Sequence, residues 1–205
     1  MLAIDKLTVG DLETNCYLVS DSNECVIIDP GDDADFITET IINKKLKPTA
    51  IVLTHGHFDH VLGCLELKLN FTIPIYLNEK DKKLYTSANQ SATHWLKKKT
   101  LKVPPIDQFI KEGSKIKIGS ESLTVIETPG HTPGSVCFYD GQKNLFTGDT
   151  LFADSVGRTD FSYSKPLQLT KSLAKLFKLP GETIVYPGHG DSTTLSAARL
   201  FIQSK

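Results

Sequence analysis

Four short apolar segments of this chain each end in a glycine-containing turn that carries histidine or aspartate. They read AIVL before THGHFDH, LTVIE before TPGHTPGS, NLF before TGDT and TIVY before PGHGD, in residues 50–60, 123–135, 144–150 and 183–191. Apolar runs of this length, rich in β-branched residues, predict buried strands. Because functional sites usually form in the loops at one end of a scaffold, the pattern predicts a fold in which these strand ends meet.

Strand-like and helix-like segments alternate along the 205 residues without a linker or a repeat, which predicts one domain, 1–205. Strands are predicted at 15–20, 25–29, 50–54, 73–77, 115–118, 123–128, 135–139, 144–147 and 183–186, and helices at 33–45, 59–69, 78–85, 166–176 and 195–203. The strands form a block in each half, and each half closes with helices. We therefore expect an α+β fold of two packed sheets with helices outside.

Residues 86–110 show little periodicity and contain Pro104 and Pro105. A segment of this length without predicted structure inside a compact domain is often a lid or a substrate loop. The sequence alone does not assign its role.

The net charge and the lack of a long apolar stretch disfavour nucleic acids and membranes as partners. The formal net charge is −1, so no global field would attract nucleic acid, and no apolar stretch approaches the roughly 18 residues of a membrane span. Asp5 and Lys6 lie where a signal peptide needs an apolar core, which predicts a cytoplasmic protein.

The basic run at 97–102 is either a solvated face or a contact for an anionic substrate. The sequence gives no indication of the oligomeric state.

The four cysteines, Cys16, Cys25, Cys64 and Cys137, lie among apolar residues and show no CxxC spacing. This arrangement predicts free thiols in the core, with a disulfide or a catalytic thiol as the alternatives.

The histidine-rich turn has the spacing of a metal site. In an extended loop His55 and His57 point the same way, so that two imidazoles can hold one ion. Asp59 and His60 follow at the predicted start of a helix, where both can point to a second position nearby. The other strand ends add His131, Asp149 and His189. Alone, each of these would suit an ordinary turn, but together they predict a metal site. His94 has no companion ligand, and we expect no role for it.

These motifs, in this order and spacing, resemble those of the metallo-β-lactamase-fold hydrolases over nearly the whole chain. The resemblance implies a four-layer αββα sandwich with two divalent metal ions at one edge. It implies that His55, His57 and His131 hold the first ion, that Asp59, His60 and His189 hold the second, and that Asp149 bridges the two. The nitrogen-rich ligand set suits Zn²⁺, with iron or manganese as alternatives.

Such a centre is suited to hydrolysis. Two divalent ions and two aspartates leave a surplus of about two positive charges, which favours a metal-bound hydroxide that attacks a carbonyl group. Asp59 is therefore expected to be catalytic as well as a ligand. Asp29 matches an aspartate of the family. It either orients a ligand histidine or caps the turn before Pro30 and Gly31.

Three features narrow the substrate class. Asp149 stands where metallo-β-lactamases proper have cysteine or serine, which disfavours β-lactam hydrolysis, as does the predicted cytoplasmic location. A nuclease is disfavoured because neither a clamp nor a basic surface is predicted. The stretch LFADSVGRTDF at 151–161 resembles the short bacterial members of the glyoxalase II (hydroxyacylglutathione hydrolase) group. That resemblance implies a thioesterase acting on a small-molecule thioester of the S-acylglutathione type.

Arg158 and Asp160 stand where longer enzymes of that group have a lysine and a tyrosine that bind glutathione. Arg158 either binds a substrate carboxylate through its planar fork or pairs with Asp160 and shapes the loop. A persulfide dioxygenase with a single iron shares the fold and is the alternative function. A non-catalytic binding module is disfavoured because no ligand residue is missing.

Overall fold

The computed structural model describes residues 1–204, so Lys205, the last residue of the predicted domain, lies outside the described residues. The strands are β1 (Ala3–Val9), β2 (Thr14–Asp21), β3 (Glu24–Ile28), β4 (Lys47–Val52), β5 (Ile75–Asn78), β6 (Gln108–Ile110), β7 (Lys115–Ile118), β8 (Glu121–Glu127), β9 (Val136–Tyr139), β10 (Asn144–Gly148), β11 (Ile184–Pro187) and β12 (Thr193–Thr194). The helices are α1 (Ala34–Asn43), α2 (Phe58–Val61), α3 (Cys64–Phe71), α4 (Lys82–Thr86), α5 (Ala88–Leu96), α6 (Pro166–Leu176) and α7 (Leu195–Gln203), and a 3₁₀ turn covers Glu79–Asp81.

The strands form two six-stranded mixed sheets. The first has the order β1-β2-β3-β4-β5-β6 and the second the order β12-β11-β10-β9-β8-β7. In the first sheet, β1 to β3 pair antiparallel and β3 to β6 pair parallel. In the second, β10 and β11 are the parallel pair, and the other neighbours are antiparallel.

The sheets pack face to face because their central strands are apolar on both sides. On β2, Tyr17 and Val19 belong to the core between the sheets, whereas Cys16 and Leu18 belong to the core under the helices. Side chains alternate between the two faces of a strand, so one run of buried residues serves two layers. From the second sheet, the shared core receives Ile116, Ile118, Leu123, Val125, Val136, Phe138 and Phe146.

Helices cover the two outer faces. Ile37 and Ile41 of α1 and Leu67 of α3 pack on the first sheet, and Leu173 of α6 and Ala198 of α7 pack on the second. The result is the predicted αββα sandwich.

All four cysteines are buried and unpaired, as predicted. Among the described residues, no helix has both the length and the apolar character that crossing a membrane requires.

The prediction for residues 86–110 is wrong in one respect, because this segment contains α5 and β6. The buried face of α5 consists of Ala88 and Ala92, four residues apart. Their short side chains give little hydrophobic periodicity, which explains why the helix was not predicted. The predicted helix at 59–69 is two helices, α2 and α3. Between them the Gly63 N–H donates to the Gly31 carbonyl, 2.6 Å away in another loop, instead of extending a helix.

Phe138 lies fully buried between the two sheets. We expect Phe138→Ala to lower the free energy of unfolding by about 3–5 kcal/mol, since the truncation leaves a cavity that the rigid sheets fill only in part. Urea denaturation measures the change. Leu167→Ala, in which an 80% exposed side chain is truncated, is the matched control and should change stability by less than about 0.5 kcal/mol. Equal losses would contradict a shared core at Phe138.

Candidate metal centre

The predicted ligand residues follow strands that end at the same edge of the two sheets. His55 and His57 follow β4, His131 follows β8, Asp149 follows β10 and His189 follows β11. Strand β11 is parallel to β10, and β8 runs in the same direction because it is two antiparallel steps away. Two backbone bonds join the sheets there, from Val136 N to the Thr54 carbonyl at 2.8 Å and from Asn15 N to the Gly188 carbonyl at 2.7 Å.

One group of ligand atoms consists of three imidazole nitrogens and one carboxylate oxygen. His57 Nδ1 lies 3.1 Å from His55 Nε2 and 3.0 Å from His131 Nε2. Asp149 Oδ2 lies 3.6 Å from His131 Nε2. Bonds of about 2.0–2.1 Å to a tetrahedral ion would place neighbouring ligand atoms about 3.3–3.4 Å apart. The observed spacing is therefore close to that of a four-coordinate ion.

A second group lies on the other side of Asp149. Asp59 Oδ2 is 3.3 Å from His189 Nε2 and 3.6 Å from His60 Nε2. Asp149 Oδ1 is 3.4 Å from His60 Nε2 and 3.8 Å from His189 Nε2. The two oxygens of Asp149 thus face different groups, which is the position of a carboxylate that bridges two ions. All seven predicted ligands lie in one of these groups.

The imidazoles of the first group are oriented by hydrogen bonds behind them. Thr54 donates its hydroxyl proton to Asp29, 2.6 Å away, so its oxygen accepts from His55 Nδ1 at 3.0 Å. His131 Nδ1 donates to the Arg158 carbonyl at 2.9 Å, and His57 Nε2 lies 2.7 Å from the Tyr163 hydroxyl. With these protons on the outer nitrogens, three lone pairs converge on one point.

The second group is oriented in the same way. His60 Nδ1 lies 3.1 Å from Asp29 Oδ2, and His189 Nδ1 donates to the Leu12 carbonyl at 3.0 Å. Their Nε2 atoms therefore face Asp59 and Asp149. His60 Nε2 and Asp149 Oδ1 are buried and have no hydrogen-bond partner among the described residues. A bound cation would satisfy both atoms, so the residues present fit a metal ion.

The electrostatics of the site also favour bound cations. Burial lowers the pKa of His57 to about 4, with His131 adding to the effect, and burial lowers the pKa of His55 well below its usual value. Both are therefore neutral near pH 7, as ligands must be. Burial alone would lower the pKa of His60, but the charges of Asp149 and Asp59 raise it well above its usual value. The two carboxylates thus attract positive charge to this position.

Asp29 lies behind the ligands. Besides His60, its carboxylate accepts from the Thr54 N–H at 2.7 Å and from the Thr54 hydroxyl. It is 2% exposed, and through these bonds it supports His55 and His60 together. This is the geometry expected of a residue that orients ligand histidines.

A cavity of about 860 Å³ opens over the two groups. Phe152, Phe161 and Tyr163 of the loop after Asp149 line one side, and Trp95 and Leu96 of α5 line another. Trp95 is 63% exposed at the rim. The segment 86–110 thus contributes to this cavity through a helix.

Arg158 also lines the cavity. Its guanidinium forms two bonds with Asp160, at 3.0 and 2.7 Å, and lies 4.9 Å from the centre of the Phe161 ring. The ion pair that was the alternative to substrate binding is thus present. Both side chains are more than 60% exposed, and exposed pairs of this kind are weak in water. Binding of a substrate carboxylate by Arg158 stays a prediction. His94 contacts the Trp95 ring on α5 and belongs to neither ligand group.

The sequence reasoning missed Tyr163 and the α5 side chains. Tyr163 lies five positions after Arg158 and stacks on Phe161, with ring centres 5.4 Å apart. The aromatic pair in a loop directly after a ligand residue was the signal that could have indicated it. No comparable signal marked α5.

Comparisons with known proteins agree with this geometry. The chain matches the metallo-beta-lactamase superfamily over residues 9–189. The hydroxyacylglutathione hydrolase GloC of Haemophilus influenzae is 34% identical over 215 residues, covering 98% of this chain and 99% of that protein. The crystal structure of the BLEG-1 B3 metallo-beta-lactamase has 33% identity and a TM-score of 0.89, covering 97% of this chain and 99% of the other. The crystal structure of TTHA1623 in a di-iron-bound form has 40% identity and a TM-score of 0.88, covering 94% of this chain and 96% of the other.

The family match spans most of the chain, and these relatives align with it nearly from end to end. The two packed sheets, the outer helices and the cluster of histidine and aspartate at one sheet edge accompany that match. The resemblance inferred from the motifs is confirmed. The chain therefore belongs to the metallo-beta-lactamase superfamily and is a metallo-hydrolase of that fold.

Proposed function

We propose that the protein is a dinuclear-metal thioesterase that hydrolyses small thioesters of the S-acylglutathione type. The observation that carries the proposal is the pair of ligand groups that share Asp149 at the floor of a large cavity. The 34% identity to a hydroxyacylglutathione hydrolase over nearly the full chain supports the choice of a thioester. Asp149 itself is the residue that distinguishes the chain from metallo-β-lactamases with cysteine or serine at that place.

Zn²⁺ is the proposed ion, because five imidazoles and two carboxylates suit it. The di-iron form of TTHA1623 supports iron as the alternative. His55, His57 and His131 would hold the first ion, Asp59, His60 and His189 would hold the second, and Asp149 would serve both. Such ions supply a Lewis acid for the substrate carbonyl oxygen and lower the pKa of bound water.

The chain's own residues then position the reactants. Asp59 lines the cavity, and its carboxylate can accept a hydrogen bond from the attacking water and hold it towards the carbonyl carbon. Phe152 and Phe161 present apolar surface beside the ligands, which limits access of bulk water to the reacting atoms. The sulfur leaves as a thiolate, whose low basicity means that a strong general acid is not required.

The decisive experiment is a hydrolysis assay on a panel of thioesters, with the metal content measured on the same sample. S-lactoylglutathione and a carboxylate-free thioester of similar size form the core of the panel. The proposal expects thioester hydrolysis by protein that carries two ions per chain. A single iron together with oxygen-dependent oxidation of a glutathione persulfide would instead indicate a persulfide dioxygenase.

β-Lactam hydrolysis is the second candidate, because BLEG-1, a B3 metallo-beta-lactamase, is 33% identical over nearly the whole chain. The same centre would then attack the carbonyl of a strained amide. A chromogenic β-lactam belongs in the panel for this reason. A kcat/KM for the β-lactam above that for every thioester would favour this second candidate.

The two ligand groups predict two metal ions, and a substitution in one group should remove only the ion of that group. We expect purified protein to bind two divalent ions per chain, and His131→Ala and His189→Ala to bind about one each, since each removes one nitrogen from one group. Elemental analysis after dialysis measures the stoichiometry. His94→Ala removes a histidine outside both groups and should retain two ions. A retained pair of ions in His189→Ala would contradict the second site.

Asp59→Ala should reduce thioester hydrolysis by about a thousandfold or more, because several kcal/mol of transition-state stabilisation depend on the second ion and the oriented water. The fold should persist, since the cores between and outside the sheets do not include Asp59. Steady-state kinetics and far-UV circular dichroism measure the two effects. Asp191→Ala, in which a 97% exposed side chain near His189 is changed, is the matched control with ordinary activity.

Arg158→Ala should raise the KM for an S-acylglutathione about tenfold and leave kcat nearly unchanged. A charge-assisted bond to the glutathione carboxylate would be lost from the ground state and the transition state alike. The carbonyl that holds His131 belongs to the backbone and is retained. Steady-state kinetics with the glutathione thioester and with a carboxylate-free thioester measure the difference.

Asp160→Asn separates the two roles of Arg158. It removes the ion-pair partner but keeps the guanidinium, so substrate binding by Arg158 predicts a KM no higher than that of the original protein. If the ion pair instead shapes the loop, Asp160→Asn and Arg158→Ala should cause similar losses with both substrates.

A further inference from the structure

A buried carboxylate outside the ligand set, that of Asp81, connects the two loops that carry the first group of histidines. Asp81 is 0% exposed. Its Oδ2 accepts from the Gly56 N–H at 2.9 Å and from the Thr132 hydroxyl at 2.6 Å. Its Oδ1 accepts from the Gly134 N–H at 2.6 Å. No lysine, arginine or histidine nitrogen lies within 4 Å of this carboxylate in residues 1–204.

Two of the three donors to the Asp81 carboxylate lie next to histidines of the first ligand group. Gly56 lies between His55 and His57, and Thr132 directly follows His131. The Asp81 carboxylate therefore fixes the backbone beside all three histidines of the first group. In the sequence Asp81 stands in a run of charged residues, NEKDKK, and nothing there distinguishes it from a solvated side chain.

Both glycines are required by this close approach. A Cβ at Gly56 would lie 2.8 Å from the Asp81 carbonyl oxygen, and a Cβ at Gly134 would lie 2.7 Å from the Asp81 carboxylate carbon. Side chains at either position would push Asp81 away from one of the loops. Two glycines in two separate loops thus keep space for the same aspartate.

We propose that Asp81 is a positioning residue for the first metal ion: by joining the Gly56 and Thr132–Gly134 backbones it sets the spacing of His55, His57 and His131. The proposal rests on the two-ion centre proposed above. Asp81 touches neither the ion nor the substrate, and it acts through the loops that it joins.

The second group does not depend on Asp81. His60 is supported by Asp29 and His189 by the Leu12 carbonyl. Asp59 lies on α2 and is not among the three donors to the Asp81 carboxylate. Loss of Asp81 should therefore weaken the first site selectively. A residue that only stabilised the fold would affect both sites alike.

Asparagine at position 81 has the shape of aspartate but only one acceptor oxygen. In one orientation its amide NH₂ faces the Gly134 N–H, and in the other it faces the Gly56 N–H. Either orientation places donor against donor and leaves a buried N–H without a partner. The spacing between the loops then changes while the side-chain volume stays the same.

The test measures Zn²⁺ affinity in two backgrounds that isolate the sites. His189→Ala leaves the first site intact, and His131→Ala leaves the second. Metal-free proteins are titrated against a chromogenic chelator with and without Asp81→Asn. We expect Asp81→Asn to weaken Zn²⁺ binding about tenfold or more in the His189→Ala background, as loss of an orienting partner typically does. In the His131→Ala background the change should stay below about twofold.

Asp140→Asn is the matched control. Asp140 accepts three backbone N–H bonds in the turn between β9 and β10, at the end of β10 opposite Asp149. It should change Zn²⁺ affinity in neither background. Equal weakening of both sites by Asp81→Asn, or no weakening of the first, would overturn the inference. If the two backgrounds bind no Zn²⁺ even with Asp81 in place, the two-ion centre itself is contradicted.

Folding of each metal-free variant is checked by far-UV circular dichroism. If Asp81→Asn does not fold, Thr132→Val serves in its place, because it removes one of the three donors and leaves the carboxylate bonded to both glycines. It should weaken the first site several-fold and leave the second unchanged. An unchanged first site in folded Thr132→Val would likewise overturn the inference.

Discussion

The burial of Asp149 between two groups of imidazoles is the constraint on which the arrangement of the site depends. One oxygen lies 3.4 Å from His60 Nε2 and the other 3.6 Å from His131 Nε2. The Asp149 side chain is only 14% exposed and its Oδ1 atom is fully buried, so this carboxylate needs positive charge close by. Cations at both groups would supply it. This need explains why strands of both sheets bring ligands to the same carboxylate.

Each imidazole is oriented towards its ligand group by a hydrogen bond to its outer ring nitrogen. The outer nitrogens bond to atoms from different segments: Thr54, Tyr163, the Arg158 carbonyl, Asp29 and the Leu12 carbonyl. These partners are distributed over the loops that follow β3 and β4, the loop after β10 and the β1–β2 turn. The ligand geometry therefore depends on the packing of the whole sandwich.

Nine of the twelve strands in residues 1–204 and the seven candidate ligands were predictable because their signals are local: apolar runs of strand length, and glycine turns with histidine or aspartate directly after them. Strands β1, β6 and β12 were not predicted. The partners of Asp81 and Tyr163 lie 53 and 106 positions away in the chain, and only Tyr163 had a local signal, its pairing with Phe161. No local pattern records such distances. Helix α5 was missed for a different reason, because alanines form its buried face and the hydrophobic period is weak.

The ligand residues alone do not identify the substrate. A hydroxyacylglutathione hydrolase and a metallo-beta-lactamase are 34% and 33% identical to this chain over nearly its full length. Enzymes that share one fold can therefore attack the carbonyl groups of different substrates. The walls of the cavity, with Arg158 and Phe161 in one loop and Trp95 on α5, are the further features that we expect to affect substrate choice. In the proposed function the Arg158 guanidinium would bind the charged thiol arm of the substrate, and the exposed Trp95 indole would suit an acyl arm with apolar surface.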